Sequence, residues 1–402
     1  MTTLATATPT LVPGLLLRPV AWPEEAQLVA EVNNASRLAA GSLFVITGEM
    51  IRSFYGHLVN SELATDLRLA EADGRPVGYV RVEWTDENRG DRVHSAALFV
   101  TPDAPAGSFA ALLDWIMARH VEVARAQGPL DRPRKASVST MLEPAGARAA
   151  LETRGFLPIR YGFEMLRPSL DDIPERALPA GLEIRDTNPS HLRRIWEAEV
   201  EAFAGHWGAG VDDGSEERWQ EFLADPLQDL ALWQVAWEGD EIAGMVRPFI
   251  NPDENARFGV SRGWCENIST GASWRGRGVA SALISRALLA LRDRGMTEAA
   301  LGVDAQNETG ALRLYQAMGF REAARETEWR RPLVVDGAAD GAGAGALRPG
   351  RSSLVHISPR SGGTTRGKRH SRHTRAICFP RRASSPSTAA PMTCSPLLGP
   401  RR

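Results

Sequence analysis

Residues 266–295, ENISTGASWRGRGVASALISRALLALRDRG, gather the residue types that can hold a phosphate. A strand of alternating character runs into a short turn, Arg275-Gly276-Arg277-Gly278-Val279-Ala280. The turn opens directly into a helix whose apolar face is Ala282, Leu283, Ala287, Leu288 and Leu291. Such a turn aims backbone N–H groups and the positive end of a helix dipole at one point, and its glycines let a ligand approach the main chain. A pyrophosphate fits there; a glycine-rich turn before a helix also arises for structural reasons alone. Glu266, on the entering strand, is a carboxylate able to take a proton through a water or to hold an ammonium, or else a solvated or salt-bridged strand residue. Downstream come Asn307 and then Tyr315, four residues before Gly319-Phe320.

Regular elements must hold these groups in place. Hydrophobic periodicity predicts strands over Leu182–Arg185, Leu232–Trp237, Ile242–Ile250, Trp264–Thr270 and Ala299–Val303, and helices over His191–Phe203, Gly278–Arg294 and Thr309–Met318. Landmarks of this half recur upstream at nearly constant spacing. Leu17-Arg18 returns as Ile184-Arg185, LAEADGRPVGYVRV around Gly78 as QVAWEGDEIAGMV around Gly244, and LETRGF as LYQAMGF. Two copies of one α/β fold, residues 15–168 and 181–335, account for this, with a flexible start (1–14) and a linker at 169–180 (SLDDIPERALPA). From Asp336 the chain reads GAADGAGAGA and RSGGTTRGKRHSRHTR, without hydrophobic period, so 336–402 is expected to be a disordered basic tail.

The order of loop, strand, Asn307 and LY-x-x-x-GF resembles the GNAT superfamily of acetyl-CoA-dependent N-acyltransferases. RGRGVA fits that family's pyrophosphate loop, with Arg275, Gly278 and Ala280 at its defining positions. The resemblance implies two tandem GNAT-like domains, each a mixed, mostly antiparallel sheet flanked by helices, similar to the arrangement of mycothiol synthases; no motif selects that substrate. It further implies that acetyl-CoA is the co-substrate and that the main chain of Ile268, Ser269 and Thr270 binds its pantetheine arm. Asn307 and Tyr315 are implied to contact coenzyme A, with Tyr315 protonating the leaving thiolate; Glu266, by its place on the strand beside the expected acyl group, is the expected base, a water chain being the alternative. The acceptor, an amine of a small molecule or else of a peptide or protein, is expected beside the early helix and its loop, where Glu201, Phe203, His206 and Trp207 stand, unless these aromatics only pack. The first copy departs from the pattern: TPDAPAGSFAALLDW lacks the arginine and the Gly-x-Gly/Ala, and Leu151 takes the tyrosine position. One half is therefore expected to catalyse and the other to support it; a non-catalytic acyl-CoA sensor is the alternative.

Composition narrows the class. The 402 residues are 43% hydrophobic and 24% charged, with no run of about 18 uncharged apolar residues and no basic region before the first apolar stretch. A membrane protein and a secreted one are thus disfavoured, and the cytoplasm is the expected location. Cys265 is the one cysteine in the first 335 residues, so neither a disulfide framework nor a metal site is expected. Twelve of the 47 basic side chains but only two of the 49 acidic ones lie from Asp336 on, leaving a body of about −12. With lysine only at Lys135 and Lys368, the arginines do not point to a nucleic-acid partner.

Overall fold

The computed structural model describes residues 12–306 and 310–335. Asn307 and everything from Asp336 on, including the expected tail, lie outside the described residues. The first half contains β1 (Leu15–Pro19), α1 (Ala26–Ala39), α2 (Gly48–Gly56), α3 (Leu63–Asp66), β2 (Leu67–Ala72), β3 (Arg75–Asp86), β4 (Arg92–Val100), α4 (Ser108–Ala126), β5 (Arg134–Thr140), α5 (Ala147–Thr153) and β6 (Leu157–Arg167). The second contains β7 (Glu183–Ile184), α6 (Leu192–Phe203), α7 (Glu216–Leu223), β8 (Gln234–Glu238), β9 (Glu241–Ile250), α8 (Pro252–Phe258), β10 (Arg262–Thr270), α9 (Val279–Asp293), β11 (Glu298–Asp304), α10 (Ala311–Ala317) and β12 (Arg321–Pro332).

All twelve strands form one sheet in the order β1-β2-β3-β4-β5-β12-β6-β11-β10-β9-β8-β7. Within it the pairs β4–β5 and β10–β11 are parallel and the other pairs antiparallel. The repeat seen in the sequence is thus a repeat of strand order, but the halves are not separate sheets. β12, from the second half, lies between β5 and β6 of the first, and β6 pairs with β11. Neither β6 nor β12 is expected from the hydrophobic pattern, which ends each copy at Gly-Phe.

The exchange carries side chains with it. Trp329 of β12 is fully buried in the core beneath α4 and donates its indole N–H to the Thr140 hydroxyl at 3.1 Å. Met165 of β6 is buried in the core beneath α9. Each half therefore completes the hydrophobic core of the other.

The sheet has two faces because successive strand side chains alternate. On β11, Ala299, Leu301 and Val303 face α9, whereas Asp304 faces a large cavity on the other side. On β10, Cys265 faces α9 and Glu266 the cavity. Helices α4, α5, α9 and α10 cover the first face; α1, α2, α6 and α7 pack on the second. No helix among the described residues is long and apolar enough to cross a membrane.

One consequence for stability concerns His94 on β4 and His120 on α4, buried with ring centroids 5.7 Å apart. Burial pushes their pKa values down, to about 3 and about 4. Between those values and about 6.5 the unfolded chain takes up protons that the folded one does not, so their contribution is full above pH 6.5 and is lost as pH falls. Glu254 and Glu326 act in the opposite sense. Burial raises both to about 7, so they gain protons, and stability, between pH 7 and the ordinary carboxyl range. Removing the histidines by His94→Leu with His120→Leu should therefore make stability at pH 5 rise relative to pH 7 by roughly 4 kcal/mol more than in the unsubstituted protein. Urea unfolding at the two pH values measures this; parallel pH dependences in the two proteins would refute it.

Candidate active site

The site begins where the parallel pair β10–β11 comes apart. Their register runs only through Arg262↔Glu298, Gly263↔Ala299 and Trp264↔Ala300. Beyond it the Glu266 carboxylate reaches across the gap and accepts the Gly302 N–H at 3.0 Å. On its other side β10 loses register with β9 between Glu266 and Ser269. Asn267, with φ of 53°, forms the bulge, and asparagine tolerates this left-handed conformation better than most residues. A bulge puts consecutive side chains on the same face, and Glu266 and Asn267 both point into the cavity. Ile268 then turns to the α9 side.

The bulge is held from the cavity side. Glu199 on α6 accepts from the Asn267 side-chain amide and pairs with Arg247 at 2.9 Å. The Arg247 guanidinium lies 4.8 Å from the ring centres of both Phe222 and Trp233. Burial pushes the Glu199 carboxyl above its ordinary range, against the pull of Arg247 and Asn267.

The first half lacks these irregularities. β4 pairs with β5 from Arg92↔Arg134 through Ala97↔Ser139, and with β3 without a register shift. The sheet is therefore closed at the place where its second half is open.

After β10 the chain enters the arginine-glycine turn. Gly276 and Gly278 adopt φ of 73° and 89°, and Gly278 caps α9 with no side chain bonding to its first amides. A Cβ at Gly276 would meet nothing within 4 Å, and one at Gly278 only the Ser281 hydroxyl at 3.8 Å, so solvent-side space stands over both. Arg275 and Arg277 are exposed, Arg275 returning one N–H to the Thr270 carbonyl at 3.2 Å. Val279 is buried in the core and Ala280 half-buried, which anchors the helix start. Gly107 caps α4 in the same left-handed conformation, but Pro102 and Pro105 precede it, and a proline has no N–H to offer.

Tyr315 lies on α10, 6% exposed, on the α9 face with its ring against Phe320. It does not line the cavity. The loop, Tyr315 and Ile268 thus lie on one face of the sheet, Glu266 and Asn267 on the other, and the split between β10 and β11 connects them.

The cavity has a volume of about 620 Å³ and is walled by both halves. Of the four residues expected at the acceptor, Phe203, His206 and Trp207 line it. Trp207 sits between two guanidiniums, Arg330 at 3.9 Å and Arg160 at 5.0 Å from its ring centre. Glu201 must be corrected: it is exposed and is not part of the wall. The inward carboxylate of α6 is Glu199, which shares a helix face with Trp196 and Phe203, three residues before and four after it, while Glu201 is turned about 200° away from it. That spacing was readable in the sequence. The pairing of Glu199 with Asn267, 68 residues away, was not. Asp304 accepts both arms of Arg160, at 3.0 and 2.7 Å, and the Gln306 N–H at 3.2 Å, which orders the start of the loop leading to Asn307.

Residues 192–320 match the acetyltransferase (GNAT) family model. A mycothiol acetyltransferase of Geodermatophilus obscurus is 30% identical over 271 residues, 66% of this chain and 82% of that protein. Among solved structures, a GCN5-related N-acetyltransferase from Sphaerobacter thermophilus aligns with a TM-score of 0.58 at 24% identity, over 82% of this chain and 99% of its own. A tandem GNAT protein from the clavulanic acid biosynthesis pathway aligns at 0.51 and 18% identity, over 80% and 99%. A split parallel pair, a bulged strand and a glycine turn opening into a helix, together with these matches, define an acyltransferase that uses an acyl-CoA. The chain belongs to the GNAT family of acetyltransferases, in its tandem architecture.

Proposed function

We propose that the protein transfers an acetyl group from acetyl-CoA to the amine of a small molecule by direct attack, with catalysis confined to the second half. The observation that carries this reading is the opening of the sheet between β10 and β11, which has no counterpart between β4 and β5. Acetyl-CoA supplies the activated acyl group. The amides of Arg275, Gly276, Arg277, Gly278, Val279 and Ala280 hold its pyrophosphate, and the main chain of Ile268, Ser269 and Thr270 holds its pantetheine arm. The acyl group reaches through the split toward the cavity, where the acceptor amine meets it.

Three tasks fall to this chain's own groups. Glu266, at the lip of the split on the cavity side, draws the proton from the attacking amine, directly or through a water. Main-chain N–H groups that the bulge frees near Ile268 stabilise the oxyanion. Tyr315, on the cofactor side, returns a proton to the departing thiolate. Asn307 contributes to coenzyme A binding from the loop after β11. Phe203, His206 and Trp207 contact the acceptor in place of mere packing, and Glu201 has no part in this.

Titration with acetyl-CoA should saturate at one equivalent per chain, and an amine panel should elicit thiol release. Two comparable sites, or binding with no release for any amine, would sink the assignment. Gly278→Asp should weaken acetyl-CoA by about a hundredfold, because a carboxylate at that cap faces the pyrophosphate across a partly dehydrated gap. Unchanged affinity by calorimetry in the folded variant would move the cofactor elsewhere.

A further inference from the structure

Carboxylates outnumber guanidiniums in the wall of the cavity. Ten carboxylates and six guanidiniums line it. Every guanidinium has a carboxylate within 4.0 Å: Arg37 with Glu164, Arg81 with Glu83, Arg160 with Asp304, Arg218 with Glu221, Arg247 with Glu199, and Arg330 with Glu87 and Glu328.

Glu326, on the exchanged strand β12, belongs to none of these pairs. Its neighbours are saturated. Glu164 accepts from Arg37, from the Ser42 hydroxyl and from the Leu43 N–H. Glu328 takes the hydroxyls of Ser137 and Ser139 together with Arg330. Glu326 stands between them with its carboxylate on the cavity wall, and no hydrogen bond to that carboxylate is seen among the described residues. Burial and these two carboxylates raise it to about 7 against the pull of Arg37.

A second, independent acceptor lies on the same cavity wall. Asn33, on α1 one turn before Arg37, is 6% exposed; its amide N–H donates to the Tyr79 hydroxyl at 2.8 Å, and its buried Oδ1 has no partner. Both groups accept N–H donors from a ligand, and the Glu326 carboxylate favours a cationic one.

We propose that the first-half end of the cavity is a cation subsite, in which Glu326 holds a second positively charged nitrogen of the acceptor, remote from the amine that is acetylated, while Asn33, farther along the same wall, offers its Oδ1 to another N–H of the same molecule. The inference rests on the reading of Glu266 as the place of reaction. From β10 to β12 is three strand spacings, roughly 14 Å, so the two nitrogens belong to opposite ends of an extended acceptor. The substrate class is a diamine or a longer polycation, not a monoamine.

The test compares 1,10-diaminodecane, whose extended length matches that separation, with decylamine on the full chain. In calorimetry without cofactor the diamine should bind about tenfold or more tightly than decylamine, the scale of one charge-assisted hydrogen bond in a partly dry site. Glu326→Gln should abolish that preference, and Glu326→Asp, which keeps the charge, should retain most of it. In turnover the same preference should appear in KM and not in kcat. Equal binding of the two probes, or a preference that survives in Glu326→Gln, overturns the subsite. Should Glu326→Gln fail to fold, Asn33→Leu reads the same wall, with a partial loss expected and no loss counting against the proposal. Failure to bind acetyl-CoA would overturn the acetyltransferase reading instead, and the diamine titration would still decide the subsite.

Discussion

Tyr315→Phe will lower kcat by roughly 10²- to 10⁴-fold and leave the dissociation constant of acetyl-CoA unchanged. The ring is buried among apolar groups on the α9 face, against Phe320, and phenylalanine keeps that packing. Only the hydroxyl is lost, and in the proposed mechanism its proton matters after the amine has attacked, when the sulfur departs with its electrons. The effect thus belongs to the transition state and not to binding. Pre-steady-state measurement that isolates the chemical step, combined with calorimetry, separates the two. An undiminished chemical rate would assign the proton to water or to another group, and weakened acetyl-CoA binding would give the hydroxyl a role in holding the cofactor.

Expression of 181–335 alone should yield a chain that neither unfolds cooperatively nor binds acetyl-CoA. In the whole protein β12 is paired on both sides with first-half strands, and β11 leans on β6. Isolated, the segment would carry β12 with no partner on either side and β11 with an open edge opposite its split from β10. Trp329 would lose the core it fills. In the intact protein Trp329→Ala should cost about 3–5 kcal/mol, as large-to-small changes at fully buried aromatics do. A soluble, cooperatively folded 181–335 that binds acetyl-CoA would show that the exchange is dispensable.

These expectations depend on features of unequal visibility in the sequence. The expected strand Ile242–Ile250 is β9, Glu241–Ile250, and the expected helix Gly278–Arg294 is α9, Val279–Asp293, because both present one apolar stripe to one core. The arginine-glycine turn was legible for a related reason: its glycines and helix start are contiguous, so local geometry is written in local sequence. β12 was not. REAARETEWRRP reads as a charged, solvated segment, yet it lies near the middle of the sheet. Its cavity-facing side chains Glu328 and Arg330 meet counter-charges and hydroxyls from β5 and from the end of β3, partners roughly 190 and 240 residues away. Charge neutralised at such separation leaves no periodicity to detect. The split of β10 from β11 is hidden likewise, since it is the absence of pairing between two strands that each look ordinary. Glu201 was chosen over Glu199 for want of the helix phase that Trp196 and Phe203 supply.

The place of β12 also sets an order of assembly. A ribosome delivers β5 and β6 long before it delivers the strand that belongs between them, and contacts across such sequence separations form late. Until residue 332 has emerged, the nascent chain carries a slot one strand wide with a free edge on each side, open to any extended segment nearby. Filling it joins the two walls of the cavity in the same event. The cavity is thus complete only when the last strand of the second half is in place, and a chain stalled a few residues short has its arginine-glycine turn but lacks the wall that Glu326, Glu328 and Arg330 supply.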